Sequence, residues 1–376
     1  MRNFVLTSGA LAALIGLGFA AQMPAPAHAD NPAPRTQRLL ERGPYGSGYA
    51  KIDFVDPTRP TMANGEYAGA PTRSLKTHVW YPTKDASQLD LANAVPGNAK
   101  DGFPLIVYGH GLGSQATDVA HVASHLASYG YVVASVQFPL SNGDSPGGPT
   151  ANDVAQQPAD LIFVSQAIVS APIQGYYAFA KTIDKTRLGL MGYSLGGVTA
   201  ALASQYPTVN AVATLAPAAC GLYLPGGPGL AVNKPLLVVS GETDAVTPLA
   251  INGDPLFSHA DAGPKYNVHI ANGSHGGFIA TASQFESPLY PLDAAICRAI
   301  PAGAAGPTGA FCQVCSTLPS ATQLAAARQQ EIQKAAVLSF FDGYLRDERR
   351  DQQFLKNGLE QENPELTVTY EGPANQ

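Results

Sequence analysis

Ser194 lies in Gly192-Tyr-Ser-Leu-Gly196, between an apolar run at 187–191 and an Ala-rich run at 198–206. A G-x-S-x-G turn between a strand and a helix lifts a serine hydroxyl above a sheet, at the positive end of the helix. That hydroxyl is a weak nucleophile alone. It needs a base to take its proton, a carboxylate to orient the base, and donors for the oxyanion that forms. Asp244 follows the apolar run 234–240, 50 residues after Ser194, and His275 follows the run 266–270, a further 31 residues on. In a sheet whose nucleophile sits on such a strand-to-helix turn, the order along the chain is Ser, then Asp or Glu, then His. The chemistry these residue types predict is acyl transfer through a covalent serine ester.

Rival residues are worse placed. Glu242 comes earlier in its turn, Asp254 stands farther from the strand, His269 is inside a strand and His259 precedes it. For the oxyanion, backbone N–H groups serve because they are already fixed in place. Leu195, the residue after the nucleophile, offers one. Leu112, within His110-Gly-Leu-Gly113 after the run 103–109, offers the other. His110 precedes the nucleophile and is read as a residue that shapes this loop.

These residues need a scaffold that presents strand ends to one place. Strand patterns fall at 75–81, 103–109, 131–137, 187–191, 210–215, 234–240 and 266–270, and helical patterns at 117–129, 159–170, after Ser194, and at 323–345. Such alternation predicts an α/β fold: a mainly parallel central sheet with helices on both faces. Sites in these sheets form at the carboxyl ends of the strands. Residues 30–70 read as an irregular lead-in, 71–347 as the catalytic domain, and 348–376 as a polar tail. The loop 139–150 is too polar to join the core. Within the domain, 276–320 shows no regular element and holds three of the four cysteines.

Composition narrows the class. With 376 residues, 45% of them hydrophobic, the chain can build a large core. Its net charge is −6, with no basic patch, which argues against nucleic acid as a partner. Residues 1–29 read as a secretory signal peptide: Arg2, an apolar run at 4–21, and Ala27-His-Ala29 before the expected cut. Its removal takes one base and leaves 21 basic against 28 acidic residues, a charge of −7. A secreted or periplasmic protein is expected, with no transmembrane segment in the mature chain. Cys220, Cys297, Cys312 and Cys315 are an even count, as two disulfides require. One bridge is expected to join Cys297 to Cys312 or Cys315, and the other to tie that loop to Cys220. No second C-x-x-C or nearby His turns Cys312-Gln-Val-Cys315 into a metal site.

Taken together, Val79-Trp-Tyr-Pro82, His110–Gly113, Gly192–Gly197, Gly241–Pro248 and His275 resemble the α/β-hydrolase superfamily. The resemblance is nearest to its platelet-activating factor acetylhydrolase, dienelactone-hydrolase-like and PET-hydrolase-like esterases. It implies the α/β-hydrolase fold and serine-dependent hydrolysis of a small-molecule or lipid-like ester, with no cofactor and no metal. It also implies Leu112 and Leu195 as oxyanion donors. Acyl transfer or amide hydrolysis by the same Ser194, Asp244 and His275 are the alternatives. A non-catalytic binding protein on this fold is a further one, although such proteins lose the nucleophile or base that this chain retains.

Overall fold

The computed structural model describes residues 33–170, 175–223, 227–261, 263–286, 291–299, 315 and 323–372. The segment read as a signal peptide, 1–29, and Cys312 lie outside the described residues. Residues 34–376 form one compact unit.

Among the described residues ten strands make one sheet: β1 (Gly46–Asp56), β2 (Arg73–Thr83), β3 (Leu91–Ala92), β4 (Phe103–Gly109), β5 (Val132–Gln137), β6 (Ile183–Tyr193), β7 (Val209–Leu215), β8 (Leu236–Gly241), β9 (Lys265–Ile270) and β10 (Leu366–Glu371). Their order is β10-β9-β8-β7-β6-β4-β5-β2-β1-β3. From β5 through β9 every neighbouring pair is parallel, while β2 joins β5, and β10 joins β9, antiparallel. β4 and β8 are buried along their whole length, as expected of continuous apolar strands covered on both faces. Helices Gln157–Ser170 and Leu195–Ala203 pack on one face. Helices Ala120–Ser128 and Ala326–Leu345 pack on the other. The sequence runs from β4 to β5 on one side, then crosses back to β6 on β4's other flank. That reversal opens a crevice at the carboxyl ends of β4 and β6, where this topology places ligands.

Three segments carry more structure than their composition suggests. The lead-in holds helix Arg35–Leu40 and β1. β1 turns Ile52 and Phe54 inward and Lys51, Asp53 and Val55 outward, and Gly48 makes room for the Tyr81 ring, which would lie 2.4 Å from an added Cβ. The polar residues after Arg346 carry buried apolar ones among them. Phe354, Leu355 and Leu359 are buried on the face that helices Ala120–Ser128 and Ala326–Leu345 cover, and β10 closes the sheet edge. Glu362 accepts the N–H groups of Arg35 and Thr36 at 3.0 and 2.6 Å, and Arg35 pairs with Asp351. In the loop after β5, Ser141, Asn142 and Ser145 are buried despite their polarity, because their polar atoms are satisfied. Asn142 Nδ2 donates to Phe138 O at 2.6 Å, and Ser141 Oγ accepts from Gln157 Nε2 at 2.7 Å.

The segment after His275 is also partly regular. It forms a short turn of helix at Gly276–Phe278 and helices Ala282–Phe285 and Leu292–Ala299. Cys297 is bonded to Cys315, one of the two pairings expected for it, and Cys220 is likewise in a disulfide.

Candidate active site

Ser194 sits at the tip of β6 with φ 54° and ψ −119°, a backbone conformation that side-chain-bearing residues seldom adopt. The turn around it is set by glycines. A Cβ on Gly192 would come 1.9 Å from the Gly196 carbonyl oxygen, and one on Gly196 would come 2.0 Å from that of Gly109. Only bare backbone permits β4, β6 and helix Leu195–Ala203 to meet this closely. The strained serine is held in turn by its N–H, which donates to Leu215 O on β7 at 2.9 Å.

His275, after β9, brings Nε2 to 3.1 Å from Ser194 Oγ. Asp244, after β8, brings Oδ2 to 2.8 Å from His275 Nδ1. The three residues that the strand ends single out are thus in one continuous chain of contacts, and all three are buried. The second Asp244 oxygen accepts the N–H groups of Val246 and Thr247 at 2.8 and 2.7 Å. The carboxylate is thereby fixed, with Oδ2 turned to the ring. The rivals lie elsewhere: Asp254 Oδ1 contacts His269 Nε2 at 2.8 Å, forming a separate, partly exposed pair.

The loop after β4 approaches the serine closely. An added Cβ on Gly111 would lie 3.0 Å from Ser194 Cβ. Gly113 N donates to Ser141 O at 2.7 Å, so the buried polar loop after β5 braces this turn. His110 is fully buried. Its Nδ1 donates to Gly111 O at 2.7 Å, and its Nε2 accepts from Phe138 N at 3.0 Å. Burial lowers its pKa to about 4, so it remains a neutral bridge between the two loops.

Three side chains at the site were not singled out by sequence. Thr247 Oγ1 lies 2.9 Å from Asp244 Oδ2 and 3.0 Å from His275 Nδ1. The Tyr193 hydroxyl donates to His275 O at 3.1 Å, and its ring lies against the imidazole, centroids 4.8 Å apart. Asp293, on helix Leu292–Ala299, is fully buried and accepts three backbone N–H groups from the Asp244 and His275 loops. Thr247 had a local signal, its place three residues after Asp244. Asp293 had none, because it stands in a stretch without regular patterning.

Electrostatics favour a chargeable imidazole. Burial alone would depress the His275 pKa, but the nearby Asp244 carboxylate, its hydrogen bond, and Asp293 outweigh it, and the pKa is raised. Burial and the Asp244 charge raise that of Asp293. The cleft over Ser194 and His275 has a volume of about 430 Å³, and Leu112, Val246, Ile279 and Ile296 give it largely apolar walls. Among the described residues no group of three or more His, Cys, Asp or Glu is arranged to hold a metal ion. No helix among them is long and apolar enough to cross a membrane.

The profile of the PET hydrolase-like family matches residues 78–289, more than half of the chain. A bis(hydroxyethyl) terephthalate hydrolase of Streptomyces coelicolor is 27% identical over 267 residues, covering 68% of this chain and 70% of its own. A cutinase of Thermobifida fusca is 24% identical over 264 residues, covering 68% and 71%. Lipase 1 of Moraxella sp. is 37% identical over a shorter stretch of 94 residues, covering 25% of this chain and 27% of its own. The chain belongs to the PET hydrolase-like family: it is an α/β-hydrolase serine esterase, an enzyme that cleaves carboxylic esters.

Proposed function

We propose that this protein hydrolyses esters through an acyl-enzyme formed on Ser194, with His275 as general base and acid and Asp244 as its orienting carboxylate. The observation that carries the reading is the buried Ser194–His275–Asp244 relay, at 3.1 and 2.8 Å. Nε2 takes the Ser194 proton as Oγ bonds to the ester carbonyl carbon. Nδ1–H, hydrogen-bonded to Asp244, keeps the ring in the tautomer that leaves Nε2 free to accept. The charge on the carbonyl oxygen falls to the N–H groups of Leu195, at the start of its helix, and Leu112, in the braced loop after β4. His275 then returns the proton to the departing alcohol. Water, activated by the same imidazole, releases the acid. No cofactor enters this cycle.

The apolar cleft supports a substrate with an apolar acid part, and the relatives' names, a terephthalate-ester hydrolase and a cutinase, support a small-molecule or lipid-like ester over an amide. The signal-like segment at 1–29 and the disulfides support release into an oxidising, secreted or periplasmic setting. The experiment is labelling with a fluorophosphonate probe, followed by a panel of p-nitrophenyl esters of increasing chain length. Labelling at Ser194 and ester turnover are expected. A chain that stays unlabelled and turns over no ester would sink the proposal.

A further inference from the structure

Asp293 belongs to no strand end and touches none of the reacting atoms, yet it is fully buried. Its Oδ2 accepts from Ala245 N at 3.1 Å and from His275 N at 3.0 Å, and its Oδ1 accepts from Gly276 N at 2.9 Å. Ala245 follows the orienting carboxylate, while His275 is the base itself. One carboxylate therefore spans two loops that enter the site from different strands, β8 and β9. No Lys or Arg forms a salt bridge with it among the described residues. A buried carboxylate without a cation needs several donors aimed at it, and here those donors are the backbone of the two loops.

The same insert grips the acid loop a second time. Cys315 N donates to Ala245 O at 2.7 Å, so the Ala245 residue is held through both its N–H and its C=O. Cys315 is bonded to Cys297, which lies one helical turn after Asp293. Asp293, Ile296 and Cys297 share one face of their helix by i, i+3 and i+4 spacing. That face gives a carboxylate to the two loops, a side chain to the cleft and a sulfur to the crosslink.

We propose that Asp293 is a positioning residue for ester hydrolysis, a buried carboxylate that sets the spacing of the Asp244 and His275 loops. This rests on the relay proposed above. Holding the His275 backbone lets the imidazole gain and lose its proton without the base drifting from Ser194 Oγ. The charged groups facing that imidazole are Asp244 from the loop after β8 and Asp293 from the insert helix, with the Tyr193 phenol from β6 against its ring.

The test compares Asp293→Asn, Asp293→Glu and Ser194→Ala in the full chain, using p-nitrophenyl butyrate, active-site titration with a phosphonylating ester, and pH profiles. Asparagine keeps the shape but turns an N–H₂ group toward the loop N–H donors. Its kcat per titrated site is expected to fall about 10- to 100-fold, the range that follows from small misplacement of a catalytic group, with KM little changed. The acid limb of its profile is expected to move to lower pH, because a charge favouring imidazolium is gone. Glutamate, which keeps the charge, should retain the limb and recover part of kcat. Wild-type kcat per site in the asparagine variant would overturn the proposal. So would a loss fully explained by fewer titratable sites with an unmoved limb. If the asparagine variant does not fold, the glutamate variant decides: reduced kcat with the limb in place supports the role, and wild-type kcat overturns it. A Ser194→Ala enzyme that keeps its activity would instead refute the relay, whatever Asp293 does.

Discussion

The hydroxyl of Thr247 lies 3.0 Å from Nδ1 of His275, the same nitrogen that faces Asp244 at 2.8 Å. Thr247 also stands 2.9 Å from the Asp244 oxygen that meets the ring, and 3.1 Å from Ala216 O. Its one proton can go to the carboxylate or to the carbonyl. Either way the oxygen is fixed beside the acid–base pair. Thr247→Val keeps the volume and removes the hydroxyl. The loss of one buried hydrogen bond to a charged group, about 1.5–3 kcal/mol, is expected to lower kcat/KM by roughly 10- to 100-fold. Thr247→Ser should restore most of it. Equal kcat/KM for the valine and wild-type enzymes would show that the hydroxyl does not orient the pair.

Ser194→Ala and His275→Ala are each expected to remove nearly all ester hydrolysis while leaving the melting temperature close to wild type. Residues that act as one unit are not additive, so the double variant should be little worse than either single one. Steady-state kinetics of the three proteins check this. A Ser194→Ala protein with more than about a hundredth of wild-type kcat would refute serine catalysis.

The pH profile follows from the direction of the His275 shift. The imidazole must be neutral to accept the Ser194 proton, and its pKa is raised, with Asp244 and Asp293 overcoming the effect of burial. Activity should therefore fall on the acid side with a midpoint above about 6.5, the unperturbed value. The sign for stability is the reverse. A raised folded-state pKa adds stability that is complete below about 6.5 and is lost as pH rises through the raised value. A plot of kcat/KM against pH gives the midpoint, and one clearly below 6.5 would contradict the shift. Asp244→Asn should move what activity remains to lower pH.

Ile296 and the Cys297–Cys315 bridge give the insert two separable roles. Ile296 lines the cleft, so Ile296→Ala should enlarge it and move the preferred acyl chain to longer lengths. The bridge closes a separation of 18 residues, which in the chain-entropy model is worth about 3 kcal/mol. Cys297→Ser paired with Cys315→Ser should lower the melting temperature and reduce kcat as well, since Cys315 N braces Ala245. An ester panel and calorimetry measure both effects. An unchanged preference in Ile296→Ala would place that side chain outside the acyl subsite.

The strand ends were legible because each closed a short run rich in apolar residues, continuous in β4 and alternating in β9, and led into a chemically active residue. β4, β6, β8 and β9 are of that kind, and they place Leu112, Ser194, Asp244 and His275 about one crevice. β10 was not legible. At a sheet edge only Leu366 is buried along Leu366–Glu371, so the strand lacks the apolar run that marks its neighbours. β1 hid behind its glycines, which serve close packing, Gly48 against Tyr81 and Gly46 against the chain at Thr83 and Asp85. The insert was illegible for another reason. Asp293 is stabilised by backbone N–H groups of distant loops, and a backbone donor leaves no mark in the sequence.

The bond between Glu362 and the N–H groups of Arg35 and Thr36 joins two places more than 320 residues apart. A chain is made from its N-terminus, so the first helix waits for nearly the last turn of the molecule before its leading N–H groups find their acceptor. The edge strand β10 follows every other described strand in the chain, and it pairs with β9, which borders the loop that carries His275. Completion of the fold is therefore a late event in the life of each molecule. Until β10 is in place, the edge of β9, which leads into the loop of the base, lacks its outer partner.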